Sequence, residues 1–353
     1  MTLVLPTPAD HGYDYLNWGA QDSAGTAVAA DFRLPLKADG FDPDRSYRNP
    51  EEDLGSGWDS SASRGRWGMK APTIHVAGEA GFEFLPHLLA AHLGHSGTPI
   101  TVGGTPTLYD WVFTAGTIGT VAEIGLPNFA TVEHGSNSEY DQWRIIGAHI
   151  PDLSLGFDAL VAPGNSPWTV DATVNGLDFD RQAPTAGLDI PATEVVEGYS
   201  TVADNSMAAS VPVSLPFTPS NPYALVSFKL ASPQAWTRRP YGGDGDTAST
   251  VGHGQRPGAT VELSIAVADD PGEGAVSQFI ADAGQGEDTA LTVVCHGASG
   301  QAVVFAPYAY RLTKAPQRGE RENEVVWALS LAIVGGYQVQ VRTTTSSLST
   351  LGS

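Results

Sequence analysis

Three histidines fall close together, His87, His92 and His95, and a metal centre is the first chemistry they suggest. On a helix His87 and His92 point in different directions, and Gly94 ends that helix before His95. No cysteine or spaced carboxylate completes a ligand set, so they read as solvated or core histidines. The run Gly243-Asp-Gly-Asp-Thr-Ala248 follows a dinucleotide fingerprint only in outline. It lies inside a long loop instead of between a strand and a helix, which removes the geometry that cradles a phosphate. Its two aspartates also lack the spacing of a calcium loop. No Gly-x-Ser-x-Gly elbow occurs, and Cys295 has no activating context. Carboxylates are plentiful enough for a glycosidase pair, yet none stands in an apolar pocket that would raise its pKa. The chain reads as a non-enzyme with no cofactor and no metal. Arg238-Arg239 and Arg318-Gly-Glu-Arg321 interrupt an acidic background, and such basic loops suit contact with the acidic surface of a neighbouring copy.

That background is pronounced. Eighteen Lys plus Arg stand against 39 Asp plus Glu, for a net charge of -21. Such a field repels nucleic acid at long range and argues against a DNA-reading module, and its plainest role is solubility. Charged residues are only 16 % of the chain, against roughly 25 % in an average globular protein. Gly, Pro, Ser and Thr fill the difference, which favours strands and turns over helices. Cys295 is the single cysteine, so no intrachain disulfide supports the fold. Met1–Asp10 lacks a basic region followed by an apolar run, and no apolar stretch approaches the ~20 residues of a membrane span. The expectation is a protein made in a reducing cytoplasm, with no membrane partner.

The elements that would position these residues occur twice. Trp168-Thr-Val-Asp-Ala-Thr-Val-Asn-Gly176 reappears as Trp327-Ala-Leu-Ser-Leu-Ala-Ile-Val-Gly335. Trp168, Val170, Ala172 and Val174 share one face of a strand, as do Trp327, Leu329, Leu331 and Ile333. The opposite face is polar in the first copy, with Thr169, Asp171 and Thr173. Upstream, Gln142–Ile150 answers Ala302–Tyr310. Further back each half carries a strand, a short helix and another strand: Thr73–Ala77, Leu85–Leu93 and Tyr109–Phe113, then Thr260–Val267, Ala275–Ala283 and Ala290–Cys295. Phe82 and Phe279 anchor the two helical segments. Each set follows a long polar loop, Asp42–Lys70 or Thr237–Gly258, and each loop follows an apolar strand, Phe32–Leu36 or Ala224–Leu230. The first loop holds Tyr47, Trp58 and Trp67, too aromatic for plain disorder. Residues 1–30 read as an extended arm, and Thr343–Ser353 as a loose tail.

The order implies an internal duplication. The expected fold is mainly β (α+β), in two tandem β-sandwich or barrel domains, each with a short flanking α-helix. The first domain spans 1–182, with the N-terminal arm and the loop 42–70. The second spans 183–353, with the loop 237–258.

Several stretches resemble the two-domain tail tube proteins of long-tailed, siphovirus-like bacteriophages. They are Gly25–Pro35, the strand followed by Phe82–Gly94, Trp143–Leu155 and the Trp168 strand. The resemblance implies a structural virion protein, assembled in the host cytoplasm and residing in the virion tail. A chain with two copies of the domain would close a ring as a homotrimer with pseudo-six-fold symmetry, and rings would stack into a tube. Viral DNA would pass the lumen without specific binding, and the partners would be tape measure, tail terminator and tail tip proteins. Under that resemblance Tyr47, Trp58, Trp67, Trp236, Arg238 and Arg239 would reach the adjacent ring. The face of Thr169, Asp171 and Thr173 would line the lumen, and Trp168, Gly176, Trp327, Gly335, Phe82 and Phe279 would anchor the repeats. The alternatives are a carbohydrate-binding β-sandwich protein, using exposed Trp and Tyr as sugar platforms, and another virion component such as a decoration or baseplate protein.

Overall fold

The computed structural model describes residues 15–21, 24–43, 47–48, 66–67, 70–94, 98–104, 107–115, 127–135, 142–158, 167–188, 196, 223–234, 236–239, 250–253, 258–267, 277, 281, 293–296, 300–321 and 324–348. The described residues open with β1 (Tyr15–Ala20), β2 (Phe32–Arg33), β3 (Lys37–Asp42), β4 (Tyr47–Arg48), β5 (Arg66–Trp67) and β6 (Thr73–Glu79). A helix, α1 (Leu85–Leu93), follows. Next come β7 (Ile100–Gly103), β8 (Leu108–Ala115), β9 (Ala130–Gly135), β10 (Gln142–Asp158), β11 (Thr169–Asn175) and β12 (Asp178–Asp180). The second half supplies β13 (Tyr223–Pro233), β14 (Trp236–Arg239), β15 (Thr250–His253) and β16 (Thr260–Val267). It ends with β17 (Val293–His296), β18 (Ala302–Leu312), β19 (Gln317–Arg321) and β20 (Glu324–Thr343). The fold is mainly β, built on a large antiparallel sheet.

Among the described residues that sheet has 16 strands, and its central path runs β17-β18-β20-β16-β13-β10-β11-β6-β3. Two runs of the same kind lie side by side in it. In the first half the order is β3-β6-β11-β10, and in the second β13-β16-β20-β18. The registers agree residue for residue. Ala172 pairs with Val76 on one side and Leu153 on the other. Leu331, its counterpart, pairs with Val261 and Leu312. Likewise Lys37 opposite Ala77 answers Lys229 opposite Glu262. The long loops follow suit, because each starts as a hairpin arm. Tyr47 pairs with Trp67 in the first, and Trp236 with His253 in the second.

Both repeats must bend at the same place. β11 and β12 together run along β10, with Gly176 at the break between them, and Gly335 stands at the matching point of β20, at a φ of 86°. A Cβ on Gly176 would lie 2.2 Å from Cγ2 of Ile145, so the approach of β10 at the bend excludes any side chain. β10 carries a register shift between His149 and Asp152, and β18 one between Pro307 and Ala309.

Other expectations give way to tertiary context. Tyr15–Ala20, read as part of an extended arm, is a buried strand paired with β9 and β2. Phe32–Leu36 forms a strand only at Phe32 and Arg33, which pair with β1; Pro35 has no N–H to give a ladder, and the pairing with β6 begins at Lys37. The two strands that follow the helical segments are not placed alike, since β8 lies on β20 whereas β17 lies on β18. The helix of the first half is buried on every side rather than along one stripe, with Pro86 in its first turn and Gly94 at its end. It packs against β10 and β8. Of the second helical segment only Ser277 and Ala281 are described, both helical, and Phe279 lies outside the described residues.

One core joins the halves. Trp168, at 0 % exposure, stacks on Phe157 at 5.5 Å and meets Phe228 of β13 at 5.5 Å. From there Phe228 contacts Phe305 at 5.3 Å, and Phe305 contacts Tyr337 at 5.6 Å. The aromatic run crosses the sheet from the first repeat into the second.

Candidate functional site

Alternation along the paired strands gives the sheet two unlike faces. Leu153, Leu155, Val170, Ala172, Phe228, Leu230, Leu329 and Leu331 point into the core. The opposite face is open and built from small or polar side chains: Thr169, Asp171 and Thr173 on β11, Ser154 on β10, Ser227 and Ala231 on β13, Thr260 and Ser264 on β16. Cross-strand partners keep these on one side over both repeats, as in Asp171 opposite Ser154 and Ala231 opposite Thr260. Its carboxylates are Asp39, Glu79, Asp152, Asp158, Asp171 and Glu262, against the cations Lys37, Lys229 and Arg311. His75 Nε2 lies 2.9 Å from Asp171 Oδ1 on this face. Among the described residues the exposed large hydrophobics are Ile100 and Val102, both on β7. The surface is therefore broad, polar and net acidic, with no aromatic platform among the described residues.

The second feature is the seam where β10 meets β13. Seven pairs, from Asp152 opposite Pro233 to Asp158 opposite Ser227, join the two repeats. Buried polar groups lock it from below. His92 Nδ1 is 2.9 Å from the Ile150 carbonyl, which can only accept, so this nitrogen carries the proton. Its Nε2, 2.7 Å from Ser232 Oγ, then accepts the serine hydroxyl, and Tyr337 bonds the same Ser232 oxygen. This Ser–His pair has the atoms of a nucleophile and base, but both side chains are buried and the pair serves as a structural link. Trp236 Nε1 donates to the His92 carbonyl at 3.0 Å. Arg238 donates to the carbonyls of Gly176 at 2.9 Å and Pro72 at 3.1 Å. Trp236 and Arg238 thus brace the second hairpin arm against the first repeat. Both were expected to reach an adjacent ring; within the chain Trp236 is 6 % exposed, its indole beside α1, and Arg238 is half-buried.

Gly176 and Gly335 sit at the two bends, Phe82 is fully buried beside α1, and Trp327 is half-buried. Trp58, His95 and the loop 243–248 lie outside the described residues, as do the side chains of Tyr47, Trp67, Arg239 and Cys295. His87 is buried against Phe32, ring centroids 4.9 Å apart, and burial pushes its pKa down to about 4. His149 is likewise held at about 4, by burial first and then by the nearby Arg238 charge, with its Gly147 hydrogen bond opposing. Both imidazoles are neutral near pH 7. Among the described residues no group of three or more His, Cys, Asp or Glu is placed to hold a metal ion. No described helix is long and apolar enough to cross a membrane.

Two polar sites gave no sequence signal. Glu133, 2 % exposed, accepts from Asn17 Nδ2 at 3.0 Å, and from Thr185 N and Oγ1 at 2.7 Å each. The carboxylate pins the crossing between repeats to β1 and β9, beside a cleft of about 240 Å³. Arg342 grips Asp110 with Nε at 2.7 Å and Nη2 at 2.9 Å, tying β8 of the first half onto β20 of the second.

No protein-family model matches the sequence, and no match was found among curated proteins.

Proposed function

We propose that the protein is a structural subunit of a phage tail tube, with its open sheet face turned to the channel. The observation that carries this reading is that face: it spans both repeats without interruption and holds carboxylates in excess over cations. DNA carries about one negative charge per 1.7 Å of helix, and binding is driven by cations that displace its counterions. A wall of hydroxyls, small side chains and carboxylates offers little of that drive. It also offers no aromatic surface for bases to stack on among the described residues. Duplex would slide past it without being held. The same lack of exposed aromatic side chains among the described residues weighs against a sugar platform there.

In this reading three chains form a ring of six repeats, rings stack into a tube, and the chain acts as no enzyme. Tape measure, terminator and tip proteins complete the tail. The test is negative-stain electron microscopy of the purified protein, before and after concentration. Annular particles or tubes with a central channel are expected. Persistent single particles that bind a glycan array would refute the proposal.

A further inference from the structure

The joint between the two repeats is visible inside one chain, and its two halves recur at the ends of the sheet. β10 has β11 on one side, while its other side is shared by β9 along the first half and β13 along the second. β18 has β20 on one side, and β17 covers only Ala302–Phe305 on the other. Among the described residues no strand takes the place on β18 that β13 takes on β10. The same holds for β3, the counterpart of β13, which pairs with β6 alone on that axis of the sheet.

We infer that copies of this chain join edge to edge, β3 of one against Arg311–Ala315 of the next, in the register of β10 with β13. The inference rests on the assembly reading above and deepens it by naming the interface. Ser154 opposes Ala231 in the internal joint. Ser154 corresponds to Thr313 and Ala231 to Asp39 through the shared registers, so Thr313 opposes Asp39 between copies. Three features agree with this. Lys37 and Asp39 are exposed on one edge, and Arg311, Thr313, Lys314 and Ala315 on the other. In this register Arg311 lies diagonal to Asp39, within reach of a long side chain. Leu312 is only partly buried, whereas its counterpart Leu153 is 2 % exposed beneath the joint. Pro35 and Pro316 fall at the same end of the new ladder, where missing N–H groups end it. The contact is head-to-tail, so it closes into a ring or runs on as a filament.

The test is disulfide trapping in full-length chain with Cys295→Ser. Asp39→Cys with Thr313→Cys places the thiols opposite each other, and Asp39→Cys with Gln317→Cys is the displaced control. Circular dichroism and a thermal melt establish that both variants fold. A third variant, Arg311→Glu, keeps the test independent of the cysteines and is expected to weaken association. Mild oxidation of concentrated protein is expected to give about tenfold more inter-copy crosslink for the matched pair than for the control, given the narrow geometry a disulfide accepts. Annular particles without a preference for the matched pair would overturn the interface and leave the tube reading standing. Matched crosslinks in open filaments or dimers alone would uphold the interface and refute the tube. Folded protein with no crosslink and no association would overturn the inference.

Discussion

Replacing Trp168 with alanine removes the side chain that carries the aromatic run from the first repeat toward the second. The indole is fully buried and touches Phe157 and Phe228, each at 5.5 Å. Truncating a core tryptophan costs about 3–5 kcal/mol through lost transfer energy and the cavity left behind. Each aromatic contact adds about 0.5–1.5 kcal/mol. One term opposes these: Trp168 Nε1 is buried without a hydrogen-bond partner, and removing an unsatisfied donor returns about 1–3 kcal/mol. The net expectation is a loss of about 4 kcal/mol for Trp168→Ala. Trp168→Phe discards the orphan N–H and keeps a ring in place, so its loss should stay under about 2 kcal/mol. Urea unfolding followed by circular dichroism reads both values from the midpoint shift at unchanged slope. A Trp168→Ala variant as stable as the parent would refute the placement of this side chain and the strand register that produces it.

Three further predictions follow from the buried polar groups and the bend. His87 and His149 have folded pKa values of about 4 against an ordinary 6.5. Between those limits the unfolded chain takes up protons that the native chain refuses, so stability falls as pH falls. From pH 7 to pH 5 each imidazole should cost about 2 kcal/mol. Denaturation at the two pH values checks this, and His87→Leu should remove roughly half of the slope. At the bend, Gly176→Val puts carbon where Ile145 already lies at 2.2 Å from an ideal Cβ, and a loss of about 3 kcal/mol or failure to fold is expected. Tyr337→Phe breaks the bond to Ser232 at the seam and should cost about 1 kcal/mol in a thermal or urea melt.

The repeat was legible because it rests on large residues at strand spacing. Trp168, Val170, Ala172 and Val174 alternate with polar neighbours, and a face of that kind survives whatever it packs against. Gly176 and Gly335 could be matched by position, but not the reason for them, which is the approach of Ile145 from a strand distant in sequence. The seam was not legible at all. Ser232, Tyr337 and His92 lie far apart in the chain, and nothing in their local context announces a shared hydrogen-bond network. The bracing by Trp236 and Arg238 was not legible either, because an aromatic and a cation in a long loop read as a docking surface equally well when they bond their own chain. β9 gave no periodic signal, since every one of its residues is buried, and Glu133 is satisfied by partners contributed from two other segments.

The most direct test of the account is a cryo-electron microscopy reconstruction of the assembled particle at a resolution that traces the strands. Three chains per ring are predicted, with six repeats around the channel and Thr169, Asp171 and Thr173 on its wall. A ring in which this face turns outward, or in which the two repeats are not related by a pseudo-six-fold rotation, would contradict it.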